Sequence, residues 1–258
     1  MKVVILCGGI GTRLKEETEF KPKPIVKIGN RPILWHIMKI YAHYGYKDFI
    51  LCLGYKGEMI KEYFYNYEVM NNDFTLTLGK SNSLKVYHSH EEEGWNVTLV
   101  DTGDKALKGA RLKRIEKYVD GEIFMVTYGD GVANIDINTL LNFHKSHGKL
   151  ATVTGVNPLA RFGELKVKGH QVISFFEKPQ ESGNLINGGF FVFNRRIFDY
   201  LEDRNDCDLE YGPLEKIATE GQLMVYKHNK FWACMDTIRD MEYLNKLWNE
   251  SRAEWKVW

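Results

Sequence analysis

Residues Lys2 to Cys7, KVVILC, form an unbroken apolar run of strand length, the pattern of a strand covered on both faces within a parallel sheet. Helical periodicity follows in RPILWHIMKIYAHYG, where Ile33, Leu34, Ile37, Met38, Ile40 and Tyr41 recur at the spacing of one helix face. Pro32 suits the first turn of that helix and Gly45 its stop. KDFILCLG then reads as a second buried strand and KGEMIKEYFYNY as a second helix. The opening of the chain therefore predicts a βαβα series with right-handed crossovers.

From Phe74 to Val100 the pattern changes to alternation: FTLTLG, SLKVYHS and NVTLVDTG predict strands or hairpin arms on a less buried surface. RLKRIEKYV returns to helical spacing, and EIFMVTYGDGV predicts a third buried strand ending in a glycine turn that carries an acid. A helix (DINTLLNFHKSHG), a strand (LATVTGV), an alternating hairpin from Gly163 to Glu177 and a further strand (INGGFFVFN) follow. Near the end, PLEKIATEG predicts a short helix, LMVYKHNKFWACMD paired strands, and RDMEYLNKLWNE an amphipathic helix. Pro179 and Gly183 mark a surface loop, and no low-complexity linker divides the chain. The expected fold is α/β: a Rossmann-like, doubly wound, mostly parallel sheet with β-hairpin insertions, in one domain spanning residues 1–258. Such sheets bind ligands beyond the carboxyl ends of their strands, where the Gly8, Asp130 and Asn187 segments should meet.

Composition narrows the partners. Across 258 residues, 44% hydrophobic and 27% charged, the formal net charge is only +1, so no global field steers the chain toward nucleic acid and any anion site must be local. The apolar run at the N-terminus is too short for a signal peptide, and no stretch approaches the roughly 20 apolar residues of a membrane span. A cytoplasmic protein that engages neither membrane nor nucleic acid is expected. Cys7, Cys52, Cys207 and Cys234 form no CxxC pair and read as reduced thiols. His88 and His90 share one side of a strand pattern but have no third ligand nearby.

The chemistry concentrates in a few short segments. In LCGGIGTRL, Leu14 replaces the third glycine of a GxGxxG and no GK[ST] follows, so neither common phosphate fingerprint is met. A glycine-rich strand-to-helix turn is one reading. The other is an anion nest, with close backbone approach at Gly8, Gly9 and Gly11 and a forked donor at Arg13. KPKP holds Lys23 between prolines in a rigid extended segment, either as part of a solvated lysine pair or as a constrained cation for phosphate. YGDGV places Asp130 between glycines after a buried strand: a turn, or a hard oxygen ligand for Mg²⁺ with Asp236 of CMDT as its companion. Lys178 in FEKP and Asn187 in INGG offer a phosphate-binding cation and a carboxamide for sugar hydroxyls.

Taken in order, LCGGIGTRL, KPKP, YGDGV, FGE, FEKP and INGGFFVF resemble the sugar-1-phosphate nucleotidyltransferase family over nearly the whole chain. ILWHIMK, WNVTLVDTG, ARLKR, FHKSHGK, MDTIRD and the terminal WKVW are similar to the branch that transfers a cytidylyl group to glucose 1-phosphate. The resemblance implies a Mg²⁺-dependent reaction of CTP with a hexose 1-phosphate, giving CDP-glucose and pyrophosphate for surface-polysaccharide sugars, in a homo-oligomer, a hexamer in the cytidylyl branch. It implies that Leu6, Cys7, Gly8 and Gly9 hold base and ribose, that Gly11, Thr12 and Arg13 hold the triphosphate, and that Arg111 and Gly129 grip the nucleotide. Arg13, Lys23 and Asp130 would be catalytic, Asp130 and Asp236 would hold the metal, and Glu164, Lys178, Asn187 and Gly188 would face the sugar phosphate. Three positions depart from the family pattern: Cys7 replaces alanine, with a thiol expected to make the protein sensitive to alkylation, Glu164 replaces a small residue, and Gly212 replaces an acid. Two rival classes are a dinucleotide-dependent oxidoreductase, disfavoured by the incomplete GxGxxG, and a silent nucleotide-binding relative, disfavoured by the retained charged residues.

Overall fold

The computed structural model describes residues 1–9, 11–79, 83–88, 92–157, 164–176 and 185–258, the side chains of residues 12, 15, 164 and 176 excepted. Its first half alternates as the apolar pattern predicts: β1 (Lys2–Leu6), α1 (Ile33–His43), β2 (Asp48–Leu53), α2 (Gly57–Tyr65), then the exposed hairpin β3 (Asp73–Leu76) and β4 (Leu84–Tyr87). β5 (Asn96–Asp101), α3 (Lys108–Arg114), β6 (Ile123–Tyr128), β7 (Gly131–Ala133), α4 (Ile137–His147) and β8 (Ala151–Val156) follow. The second half holds the hairpin β9 (Glu164–Lys168) and β10 (Gln171–Phe176), then β11 (Ile186–Asn187), β12 (Phe191–Asn194), α5 (Glu215–Thr219), β13 (Leu223–His228), β14 (Trp232–Cys234) and α6 (Ile238–Asn249).

Eight strands form the central sheet, in the order β11, β8, β12, β6, β1, β2, β5, with β13 added to β8. β1 runs parallel to β2 and β6, and β5 parallel to β2; β12 is antiparallel to both β6 and β8. Side chains alternate between two buried layers, which is why the strands read as continuous apolar runs. Val3, Ile5, Phe49 and Leu51 face α1, α4 and α6, whereas Val4, Leu6, Ile50 and Cys52 face α3 and α5. The C-terminal segment closes the first layer: Trp255 is fully buried, stacked on Phe231 and Trp248.

NVTLVDTG, expected as a strand or a hairpin arm, is the edge strand β5 of the main sheet, its alternate residues Val97 and Leu99 packing on the first layer. One expectation about strands needs correction. LMVYKHNKFWACMD does not pair with itself: β13 lies parallel to β8, while β14 pairs antiparallel with β7, so Cys234 stands opposite Gly131. That second pairing decides where the acids lie.

Two buried histidines are held neutral by their surroundings. His36 accepts from the Trp255 indole N–H on Nδ1 and donates from Nε2 to the Ile28 carbonyl, so protonation would set one donor against another. His144 and His147 share the Thr152 hydroxyl. Burial lowers both His36 and His144 to about 4 from an ordinary 6.5. Between those values the unfolded chain binds protons that the native one does not, so stability falls as pH drops through this window, by at most about 1.4 kcal/mol per pH unit for each group. Urea midpoints should therefore decline from pH 7 to pH 5, less steeply in His144→Gln; a flat profile in the unmodified protein would contradict this.

Candidate active site

The site begins where β1 and β6 end side by side. Leu6 is paired with Tyr128, and the Gly129 N–H donates to the Leu6 carbonyl at 3.1 Å, so the loops beginning at Cys7 and Gly129 leave the sheet together. A side chain at position 129 would press on that carbonyl and on Pro24, so the residue must be small. Gly11 has φ of +68° and its carbonyl accepts from the Leu14 N–H and the Thr18 hydroxyl, which turns the loop back over the strand end. Between these loops, the INGG segment and the start of α6 lies a cleft of about 1070 Å³.

The phosphate-facing candidates form one charge cluster. Lys23 Nζ lies 2.7 Å from Asp236 Oδ1 and 3.0 Å from Asp130 Oδ2, and Arg13 Nη1 lies 2.9 Å from Asp236 Oδ2. The β7–β14 ladder delivers this proximity: it ends with the Met235 N–H donating to the Asp130 carbonyl, and the next residue is Asp236. A capping box between Thr237 and Asp240, with the Asp236 N–H also donating to Asp240, fixes the chain as it passes into α6. Burial alone would push the Lys23 ammonium down, but the charge of Asp130 and the hydrogen bond to Asp236 outweigh it and hold the group above its ordinary value. Two carboxylates that reach one ammonium are close enough to share a single cation, and their hard oxygens suit a divalent metal whose remaining positions phosphate oxygens and water can fill. Among the described residues no group of three or more His, Cys, Asp or Glu side chains is placed to hold a metal. His88 instead meets Glu68 at 3.1 Å, and His90 lies outside the described residues.

KPKP is not uniformly extended. Pro22 is extended, but a single helical turn begins at Lys23 and separates the two lysines: Lys21 pairs with Glu17 at the surface, while Lys23 enters the cleft. Cys7 is 1% exposed beneath the glycine loop, and burial followed by the neighbouring Cys52 pushes its thiol well up. The expected sensitivity to alkylation therefore does not fit Cys7, which is neither accessible nor a thiolate.

Arg111 is 3% exposed and its terminal nitrogens donate to four oxygens: Leu53 carbonyl at 2.9 Å, Thr102 hydroxyl at 2.8 Å, Gly8 carbonyl at 2.9 Å and Asp104 carbonyl at 3.3 Å. Carbonyls and a hydroxyl carry no full charge to balance it, and burial lowers its affinity for its proton. The guanidinium thus shapes the Gly8 loop and places positive charge in the floor of the cleft. Gly8 and Gly54 both exist as glycines for its sake, since a Cβ at either would overlap the guanidinium.

At the far end, the Tyr128 hydroxyl donates to Glu210 at 2.7 Å and accepts from the Asn187 amide at 2.8 Å, and Lys108 reaches Glu210 at 2.8 Å. Burial raises Glu210, and its neighbour Asp208 raises it further. Gly188 is held by the Trp232 indole, which donates to its carbonyl at 2.9 Å. The backbone beyond turns left-handed: Gly189 takes φ of +76° without penalty, and the fully buried Phe190, with φ of +45°, carries the strain.

The cleft thus gathers Leu6, Gly8, Gly9, Gly11, Arg13, Lys23, Arg111, Gly129, Asp130, Asn187, Gly188 and Asp236 from across the chain. Lys178 and the side chains of Thr12 and Glu164 lie outside the described residues. Lys108, Tyr128, Glu210, Trp232 and Arg239 also line it and carried no assigned role from sequence. Tyr128 sits within the YGDGV segment itself, whereas a lone lysine at a helix start gives no signal.

The chain belongs to the nucleotidyl transferase family, whose model matches residues 2–250. It is 53% identical over 259 residues, covering 100% of both chains, to a glucose-1-phosphate cytidylyltransferase of Salmonella typhimurium. It is also 32% identical over 250 residues to the mannose-1-phosphate guanylyltransferase catalytic subunit beta of Dictyostelium discoideum, covering 95% of this chain and 63% of that one. In fold it is similar to the inositol-1-phosphate CTP transferase of T. maritima, with a TM-score of 0.65, 15% identity and coverage of 100% and 97% of the two chains.

The fit of Arg111 against Gly54 gives a direct test. Gly54→Ala should lower stability by about 1–3 kcal/mol, the range for overpacking a side chain that cannot move aside. An unchanged urea midpoint would show that Arg111 is less fixed than its four hydrogen bonds require.

Proposed function

We propose that this protein transfers the cytidylyl group of CTP to α-D-glucose 1-phosphate, forming CDP-glucose and releasing pyrophosphate. The observation that carries the reading is the full-length identity of 53% to a glucose-1-phosphate cytidylyltransferase, joined to a cleft that gathers a glycine loop, two basic side chains and two acids at the carboxyl ends of parallel strands. An oxygen of the sugar 1-phosphate attacks the α-phosphorus in line, a new P–O bond forms, and the bond from the α-phosphorus to the bridging oxygen of pyrophosphate breaks. The nucleophile is already an anion and needs no general base. The work of the protein is to bring two polyanions together and to balance the charge that gathers on the α-phosphoryl oxygens and the leaving group.

Members of the family generally use a divalent metal. Asp130 and Asp236 would hold it here, with Mg²⁺ the ion we favour, and it would supply Lewis-acid polarisation of phosphoryl oxygens. Arg13 and Lys23 bind phosphate, and the backbone at Gly8, Gly9 and Gly11 approaches the nucleotide closely. The Arg13–Lys23–Asp130–Asp236 cluster supports this assignment: with phosphate on the two basic groups, the two carboxylates would be left to hold the metal. Asn187 and Gly188 face the sugar. We further propose a homo-oligomer, a hexamer by family resemblance. Exposed apolar side chains support it, with Phe74, Leu76, Leu84 and Tyr87 on one hairpin and Leu165, Val167 and Phe175 on the other. The setting is the cytoplasm, in keeping with four cysteines that form no disulfide.

The test is incubation with Mg²⁺, glucose 1-phosphate and CTP, UTP or dTTP in parallel, reading pyrophosphate release and the mass of the nucleotide sugar. CDP-glucose with CTP well ahead of the other two is expected, abolished by chelation and restored by Mg²⁺. Asp130→Asn should lower kcat by about 10²–10³, the range for losing one charge-stabilising group. Near-normal turnover in that variant would remove Asp130 from the metal site, and no release with any nucleotide would overturn the reading.

A further inference from the structure

Asn187 is the outward-facing member of the sugar end, yet its side chain is exposed and stands on a two-residue strand. Its backbone is well fixed, paired with Gly155 and followed by the clamped Gly188. Its carboxamide has two contacts: Oδ1 accepts from the Gly189 N–H at 2.9 Å, and Nδ2 donates to the Tyr128 hydroxyl at 2.8 Å. The Gly189 N–H settles which end is oxygen, because an amide NH₂ there would set donor against donor.

Every direction in the chain beyond is forced. Lys108 can only donate, and it meets Glu210 Oε2 at 2.8 Å, which leaves Oε1 to accept from the Tyr128 hydroxyl. The Tyr128 hydroxyl, with one proton, spends it on Glu210 at 2.7 Å and is left as an acceptor for Asn187. One N–H of the carboxamide is thereby used, and the other is aimed by the tyrosine. The amide's last torsion, broad in a free side chain, is held from two sides: the Gly189 N–H anchors the oxygen and the tyrosine hydroxyl anchors the nitrogen. The phenol is itself rigidly mounted, its ring edge-on to Phe191 at 5.8 Å and against Gly189, with Lys108 over its face at 5.9 Å.

We propose that Tyr128 is a positioning residue for the sugar: held by Glu210 and Lys108, its hydroxyl fixes the Asn187 carboxamide so that the remaining N–H meets a hydroxyl oxygen of the bound hexose 1-phosphate. The proposal rests on the reading of the cleft as a sugar-phosphate nucleotidyltransferase site. It assigns the tyrosine no part in the phosphoryl chemistry. Its loss should act on sugar affinity, and only through Asn187.

Tyr128→Phe removes the hydroxyl and keeps the ring, and is compared with Asn187→Ala and with the double variant. With CTP saturating, Tyr128→Phe should raise KM for glucose 1-phosphate by about 2–13-fold, the equivalent of one neutral hydrogen bond, with KM for CTP unchanged. The double variant should be no worse than Asn187→Ala alone by more than about twofold, because two residues acting through one contact do not add. Multiplying effects, equal rises in KM for both substrates, or an unchanged KM for glucose 1-phosphate would each overturn the proposal. If the unmodified protein turns over no glucose 1-phosphate, it is the functional reading that fails. The positioning claim is then read from crystal structures, where Tyr128→Phe must lose the single orientation of the Asn187 side chain and an unchanged orientation refutes it.

Discussion

The ammonium of Lys23, 2.7 Å from one carboxylate and 3.0 Å from another, is the contact on which the rest of the cleft depends. Asp130 follows the carboxyl end of β6 and Asp236 precedes α6, more than a hundred residues later in the chain. The short β7–β14 ladder sets them side by side, where two like charges would repel strongly in a partly buried setting without a cation between them. Lys23 supplies that cation, and Arg13 adds a second contact on Asp236. The four charges sum to zero, so the cleft carries no unbalanced charge there. On the proposed function, phosphate oxygens would compete for the two basic groups and a divalent ion for the two acids.

A second constraint links the two ends of the cleft through α3. Arg111 grips the Gly8 carbonyl at one end, and Lys108, one turn earlier on the same helix, holds Glu210 at the other. Its first turn is anchored by backbone bonds from Leu107 and Ala110 to the carbonyls of Asn205 and Cys207, and Gly109 allows that close approach. A displacement of this one helix would disturb both ends of the cleft together.

Much of the scaffold was legible because buried parallel strands announce themselves: KVVILC, KDFILCLG and EIFMVTYG are apolar on both faces, and their glycine turns mark the ligand-facing ends. The amphipathic helices around Ile37, Leu140 and Leu244 were equally plain from spacing. What sequence could not supply was partnership. Nothing local shows that β14 leaves β13 to pair with β7, and without that the approach of Asp236 to Asp130 is invisible. The helical turn at Lys23 and the burial of Cys7 were missed because both depend on what packs above them. Tyr128, Lys108 and Gly54 were passed over because their roles lie in contacts with residues far away in the chain. The order of motifs, in contrast, named the family, since it records the site as a set.

The most direct measurement of the central claim is the affinity of the nucleotide-free protein for Mn²⁺, followed by electron paramagnetic resonance, in the unmodified chain and in Lys23→Met. If one ammonium and one divalent ion compete for Asp130 and Asp236, removing the ammonium should tighten Mn²⁺ binding by at least about tenfold, a modest fraction of the interaction of charges at such separations. Equal or weaker binding in Lys23→Met would show that these carboxylates are not the metal's, and the account of the cleft built on their shared cation would fall.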